Sequence, residues 1–252
     1  MKLFSYTKNL ALAIPTVGFA YALLFTGSVN YPLPASAQNS ISLEIRFKSP
    51  SGSGGGSPYN TSTTAGTSGP CTANTGEGEL TALVPLYENQ GLTTDPIPTF
   101  WFYVPFEGSH TLKFVLQDKD YQTIKEFPLT RNSEAGVVNF RLPSEHALSP
   151  EIYRWQFIVA CEEGNSKVRF FVEGAIEYNP DLVSSSELAG KTPLEQAAIY
   201  AGKGVWFEAL TILGNLYRSD PSVAEQWQSL LNSEDVELGN IATKSLINCC
   251  QL

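Results

Sequence analysis

Histidine occurs twice, methionine once and cysteine four times in 252 residues, and the shortages close several routes to function. His110 and His146 stand alone, no C-x-x-C pair exists and no H-E-x-x-H can be traced, so a zinc site of neighbouring ligands is not expected. The nucleophile elbow G-x-S-x-G is also missing. Basic residues are outnumbered, 16 Lys and Arg against 25 Asp and Glu, for a net charge of −9. Phosphate backbones and anionic lipid surfaces both call for a basic face, so neither nucleic acid nor an acidic membrane is expected as a partner. Acidic residues are in turn absent before Glu44, and residues 49–79 hold no Lys or Arg.

What is present begins with Lys2 and Lys8, a largely apolar run from Leu10 to Val29, and the small triplet Ala35-Ser36-Ala37 before Gln38. Basic, then apolar, then A-x-A is the order read by a signal peptidase. Residues 1–37 are therefore expected to be a signal peptide, with Pro15 and Gly18 interrupting the run that an uncleaved anchor would need. Cleavage after Ala37 leaves 252 − 37 = 215 residues with 14 basic and 25 acidic side chains, a net charge of −11. That length suffices for one large domain or two small ones. The expected location is periplasmic or extracellular, with no membrane attachment after cleavage.

Ile41, Leu43, Ile45 and Phe47 alternate with polar residues, which predicts an N-terminal strand within residues 38–48. Gly, Ser, Thr and Pro then fill 23 of the 31 positions from 49 to 79, a composition expected of a linker or loop. Residues 80–179 read as β: Phe100–Val104, Leu112–Gln117, Tyr121–Leu129, Gly136–Leu142, Tyr153–Cys161 and Val168–Tyr178 are strand-like and separated by turn signals. The expected fold is α+β, with an immunoglobulin-like antiparallel β-sandwich followed by a helical region over 180–252. In that region Thr192-Pro193-Leu194-Glu195 is a capping box with proline at the first helical position. Helices are predicted to about Ala201, over Val205–Arg218, from Asp220-Pro221 to about Asn232, and near Leu238–Leu246. Ala197, Tyr200, Ala209 and Pro221 have the spacing of a single tetratricopeptide repeat, in which small residues let two helices approach.

Cysteines of an oxidising compartment usually pair. Cys249 and Cys250 are adjacent, and Cys161 falls on the core phase of its strand, so Cys71–Cys161 is the expected disulfide. It would close a loop of roughly 90 residues, worth about 4 kcal/mol in the chain-entropy picture. The remaining motifs carry little chemistry. Gly190-Lys191-Thr192 lacks the leading glycine of a nucleotide loop, Asp118 and Asp120 have no carboxylates following in calcium-loop positions, and Glu162-Glu163 lead into a turn. No catalytic, cofactor-binding or metal-binding residue is assigned. Trp206, Ala209 and Leu213 share one face of the second long helix, and Phe207 and Leu210 on the opposite face form the candidate partner surface.

Five ordered motifs add a resemblance. Leu80-Thr81-Ala82-Leu83-Val84-Pro85 follows the Gly-rich stretch ending in Cys71; Pro98 to Pro105 comes next, then Tyr153-Arg154-Trp155, Val172-Glu173-Gly174, and Gly204 to Leu210. Over about residues 41–246 the chain resembles the exported cyanobacterial proteins grouped as domain-of-unknown-function family 928. Such proteins tend to carry arginines before the cysteine, and this chain has none there. The resemblance implies an exported location and this architecture, and it brings no activity. The expected function is a non-catalytic protein-binding or scaffolding module whose partner is another envelope or periplasmic protein, with oligomeric state open. The alternatives are a structural envelope component and a hydrolase acting on an envelope polymer.

Overall fold

In the computed structural model, β3 (Thr99–Val104) is the strand on which the layers meet, because all six of its residues are buried. Successive side chains of a strand point to opposite faces, so a wholly buried strand must be covered twice. Phe100 and Phe102 face Phe114, Trp155 and Phe157, with Phe102 stacked on Phe157 at 4.0 Å between centroids. Trp101 points the other way, towards Trp227 at 6.0 Å and the hydroxyl of Thr211, to which its ring N–H donates. The structure describes residues 43–50, 78–85, 90–108, 110–131, 134–163 and 166–251. The expected signal peptide, its cleavage site, Cys71 and most of the Gly-rich segment lie outside them.

Two sheets are present. The smaller joins β1 (Thr81–Ala82), β3 and β6 (Gly136–Arg141) with antiparallel pairings. The larger has six strands: β2 (Gln90–Thr93), β8 (Ser166–Tyr178), β7 (Ile152–Glu163), β4 (Thr111–Gln117), β5 (Thr123–Arg131) and β9 (Cys249–Gln251), in that spatial order. β7 and β8 form its longest pairing, in register from Ile152↔Glu177 to Glu163↔Ser166. The expectation of purely antiparallel strands needs correction, since β2 runs parallel to β8. Asp118 organises the β4–β5 turn by accepting the N–H groups of Asp120 and Gln122 on one carboxylate oxygen.

The helices are α1 (Ser185–Leu188), α2 (Pro193–Gly202), α3 (Trp206–Ser219) and α4 (Ala224–Leu231). The capping box of α2 forms as expected, Thr192 N–H donating to Glu195 and Glu195 N–H to the Thr192 hydroxyl. Gly204 (φ +75°) takes the left-handed turn between α2 and α3, where a side chain would also collide with Pro50. Against Trp101 lies Gly214 of α3, where a Cβ would come within 2.5 Å of the indole. Small residues Ala197, Ala201 and Ala209 are fully buried where α2 and α3 pack.

Two expected elements are absent from the described residues. Leu43–Lys48 is extended and buries Ile45 and Phe47, but it joins no sheet. Its hydrogen bonds go to the helical region: Phe47 N–H to the Ser233 hydroxyl, Lys48 N–H to the Ala201 carbonyl and Ser49 N–H to Asp235. Alternation reports an extended backbone over an apolar surface, and here that surface includes Trp206, edge-on to Phe47. Residues 232–244 run as turns in place of a fourth predicted helix. Glu237 adopts φ 56°, a left-handed turn just ahead of the expected helix, while Val236, Leu238, Ile241 and Ala242 are still buried. The chain then crosses both sheets. Leu246 bridges Val137 of β6 in parallel, and β9 pairs with Thr130 and Arg131 at the end of β5. Gly136 permits the crossing, since a Cβ there would meet the Ser245 carbonyl at 2.8 Å.

Candidate functional site

The expected partner surface on α3 does not exist as a surface. Phe207 is 2% exposed and Leu210 not at all, because α3 is enclosed on several sides. Phe207 meets Phe100 at 5.3 Å and covers Gly91, where a Cβ would come within 2.4 Å of its ring. Trp206 donates its ring N–H to the Leu83 carbonyl at 2.8 Å. A helix apolar on all sides over its first turns is a buried helix.

Other residues singled out in the sequence have ordinary roles. Asp120 pairs with Lys119, and His146 lies edge-on to Phe127. No group of three metal-ligating side chains is found among the described residues. The side chains of Glu162 and Glu163 lie outside the description. Cys161 is 1% exposed on β7, on the core-facing phase as expected, and no cysteine is free among the described residues. No helix among the described residues is long and apolar enough to cross a membrane.

One charged residue in the apolar start of α3 organises a different site. Glu208 follows Val205-Trp206-Phe207 and precedes Ala209-Leu210. Its Oε1 accepts from the Thr93 hydroxyl at 2.9 Å, the Thr94 hydroxyl at 2.8 Å, and the backbone N–H groups of Thr94 and Asp95. The loop after β2 is thereby fastened to the first turn of α3. Oε2 is sealed from solvent and has no partner. Burial raises the Glu208 carboxyl above its ordinary value, with the Thr93 and Thr94 hydrogen bonds opposing.

That fastening shapes an open cleft of about 210 Å³ between the loop and the helices. On the loop side are Asp95, Pro98 and Thr99, with Arg141 from the end of β6; Gln196 and Tyr200 of α2 and Thr211 and Ile212 of α3 face them. Arg141 Nη2 donates to Asp95 Oδ2 at 2.9 Å, while Asp95 Oδ1 accepts the Ile97 N–H. Burial raises the Tyr200 phenol, with Glu208 and Asp95 adding to the shift. The cleft therefore gathers a guanidinium, a carboxylate, hydroxyls and an amide against apolar Pro98 and Ile212.

Sequence reading missed this site because its members are scattered from position 95 to 212. The signal that was available is Glu208, a lone carboxylate inside an apolar helical run. A family model described as Domain of Unknown Function (DUF928) matches residues 63–246. No curated protein and no solved structure matches the chain.

Proposed function

The chain belongs to the family described as Domain of Unknown Function (DUF928), and from that premise we propose that it is a non-catalytic binding module, exported to the cell envelope, which recognises an envelope component through the cleft at Asp95 and Arg141. The observation that carries this reading is the convergence of charged, hydroxyl and apolar groups from separate elements on one open space. The carboxyls there favour binding over hydrolysis. Asp95 is engaged by Arg141 and the Ile97 N–H; Glu208 has four donors on one oxygen and no solvent at the other. Neither is placed to pass a proton to a substrate as a glycosidase pair must. Export rests on the basic, apolar and A-x-A order of residues 1–37.

The finer architecture belongs to the same proposal. The two sheets are halves of a β-sandwich of immunoglobulin-like layout, altered by the parallel β2–β8 pair, a reading supported by the aromatic contacts of Phe100 and Phe102. The α2–α3 pair is a single tetratricopeptide-like hairpin, supported by its buried alanines. Cys161 is assigned to Cys71. Cys249 and Cys250 lie on β9, three strand spacings from β7, or about 14 Å, beyond the roughly 7 Å a disulfide spans.

Retention of the purified protein on an isolated envelope fraction tests the binding reading. Ile212→Trp and Gln196→Trp each fill the cleft from a helix, at half-buried positions. The wild type is expected to be retained and both variants lost, with melting temperatures nearly unchanged. Retention of the well-folded variants at wild-type level would show that the cleft is not the recognition site.

A further inference from the structure

Within this cleft, and resting on its being the binding site, we propose that the bound group is a neutral sugar unit, held by Arg141 and Asp95 with its C–H face against Pro98 and Ile212. Charge balance carries the argument furthest. Arg141 and Asp95 neutralise one another across 2.9 Å at the mouth. A free anion drawn to the guanidinium would meet the Asp95 carboxylate, and a free cation drawn to Asp95 would meet Arg141. Glu208 offers no exposed charge to tip the balance, since Oε1 is filled and Oε2 is sealed. The ligand that fits is uncharged.

It must also donate and accept. A guanidinium has five N–H donors and no acceptor, whereas a carboxylate only accepts. Two of the Arg141 donors point at Asp95 and Thr99, leaving others over. A donor group and an acceptor group held side by side match two neighbouring hydroxyls, one accepting from Arg141 and the next donating to Asp95. On the opposite wall the Gln196 amide, one N–H of which donates to the Lys191 carbonyl, keeps its other N–H and its carbonyl for a ligand, and the Tyr200 hydroxyl, hydrogen-bonded with Thr94, lies beside it. The apolar residues complete the match, because a sugar ring presents C–H groups on one face between its hydroxyls. At about 210 Å³ the cleft is below the roughly 300–1,000 Å³ of drug-sized pockets, so it suits one ring, and its open side lets a longer saccharide continue outward.

The experiment uses glucose, galactose and N-acetylglucosamine as neutral probes and galacturonate as the charged counterpart. Each is titrated into the purified protein by ligand-observed NMR, and each competes for envelope retention at about 10 mM, above the millimolar Kd expected of so small a contact. Expected is binding of at least one neutral sugar, about tenfold weaker binding of galacturonate, about tenfold weakening in Arg141→Met, and loss in Ile212→Trp. Equal binding by wild type and both variants would place the sugar elsewhere and overturn the proposal. If the cleft-filling variants lose envelope retention while no neutral sugar binds or competes, the sugar class is wrong and the binding module stands. If retention ignores the cleft and no sugar binds, both readings fall.

Discussion

Glu208 occupies the third position of a helix whose first turns are otherwise apolar, and its two oxygens lead different lives. One holds a loop through four donors; the other touches nothing polar. A carboxyl raised by burial keeps in the folded state a proton that the unfolded chain releases near its ordinary 4.5. The folded state then binds more protons than the unfolded one across the window from 4.5 up to the raised value, so stability falls as pH climbs through it. Glu208→Gln removes that dependence. Its carbonyl can replace Oε1, but its NH₂ is buried without acceptors, a fixed cost of about 1–3 kcal/mol. The wild type should therefore exceed the variant most at about pH 4 and least at about pH 8, in paired thermal melts. A difference that does not change with pH would mean that the Glu208 carboxyl takes up its proton equally in the folded and the unfolded chain.

At the scale of elements, β5 is the vulnerable part of the larger sheet. β9 covers only Thr130 and Arg131, so Thr123–Leu129 has no strand partner on its outer side among the described residues. The strand carries Lys125, Glu126 and Pro128, residues that discourage edge-to-edge pairing by charge and by a missing N–H. Replacing them together, Lys125→Ile, Glu126→Val and Pro128→Val, is expected to shift the protein from its native size to larger assemblies on gel filtration. The lost Glu126–Lys113 pair is exposed and contributes about 0–1 kcal/mol, so a change of size would not stem from unfolding. Unchanged elution would mean that the edge is guarded by something else. The elements differed in how far they could be read. β3 to β8 and α2 stand within a few residues of their sequence patterns, because each announces itself by alternation or by a cap. β2 and β9 were invisible: Gln90–Thr93 is a short unpatterned segment whose strand state comes from β8, and Cys249–Gln251 is three residues long. Phe207 and Leu210 were expected on an outward face, yet helical spacing does not count neighbours: Leu210 lies four residues after Trp206 and shares its side of the helix, and both side chains are buried. The cleft was unreadable for the same reason, since Asp95, Arg141 and Glu208 meet only through tertiary packing.

At the scale of the whole molecule, one long-range closure is proposed to be covalent and another is non-covalent. The proposed Cys71–Cys161 assignment predicts that non-reducing peptide mapping of the protein yields those two cysteines linked, with reduction lowering the melting temperature. Finding both alkylated as free thiols would remove the assignment, and the buried position of Cys161 would then be packing alone. The non-covalent closure is the segment from Ser245 to Gln251, which joins β6 of one sheet and β5 of the other across more than 100 residues of intervening chain. A chain synthesised from its N-terminus therefore presents β5 and β6 long before the segment that seals them arrives. Pairings of such high sequence separation form slowly. During that interval the unfinished edges are open to neighbouring chains, and the charges on β5 act as its guard in time as well as in space.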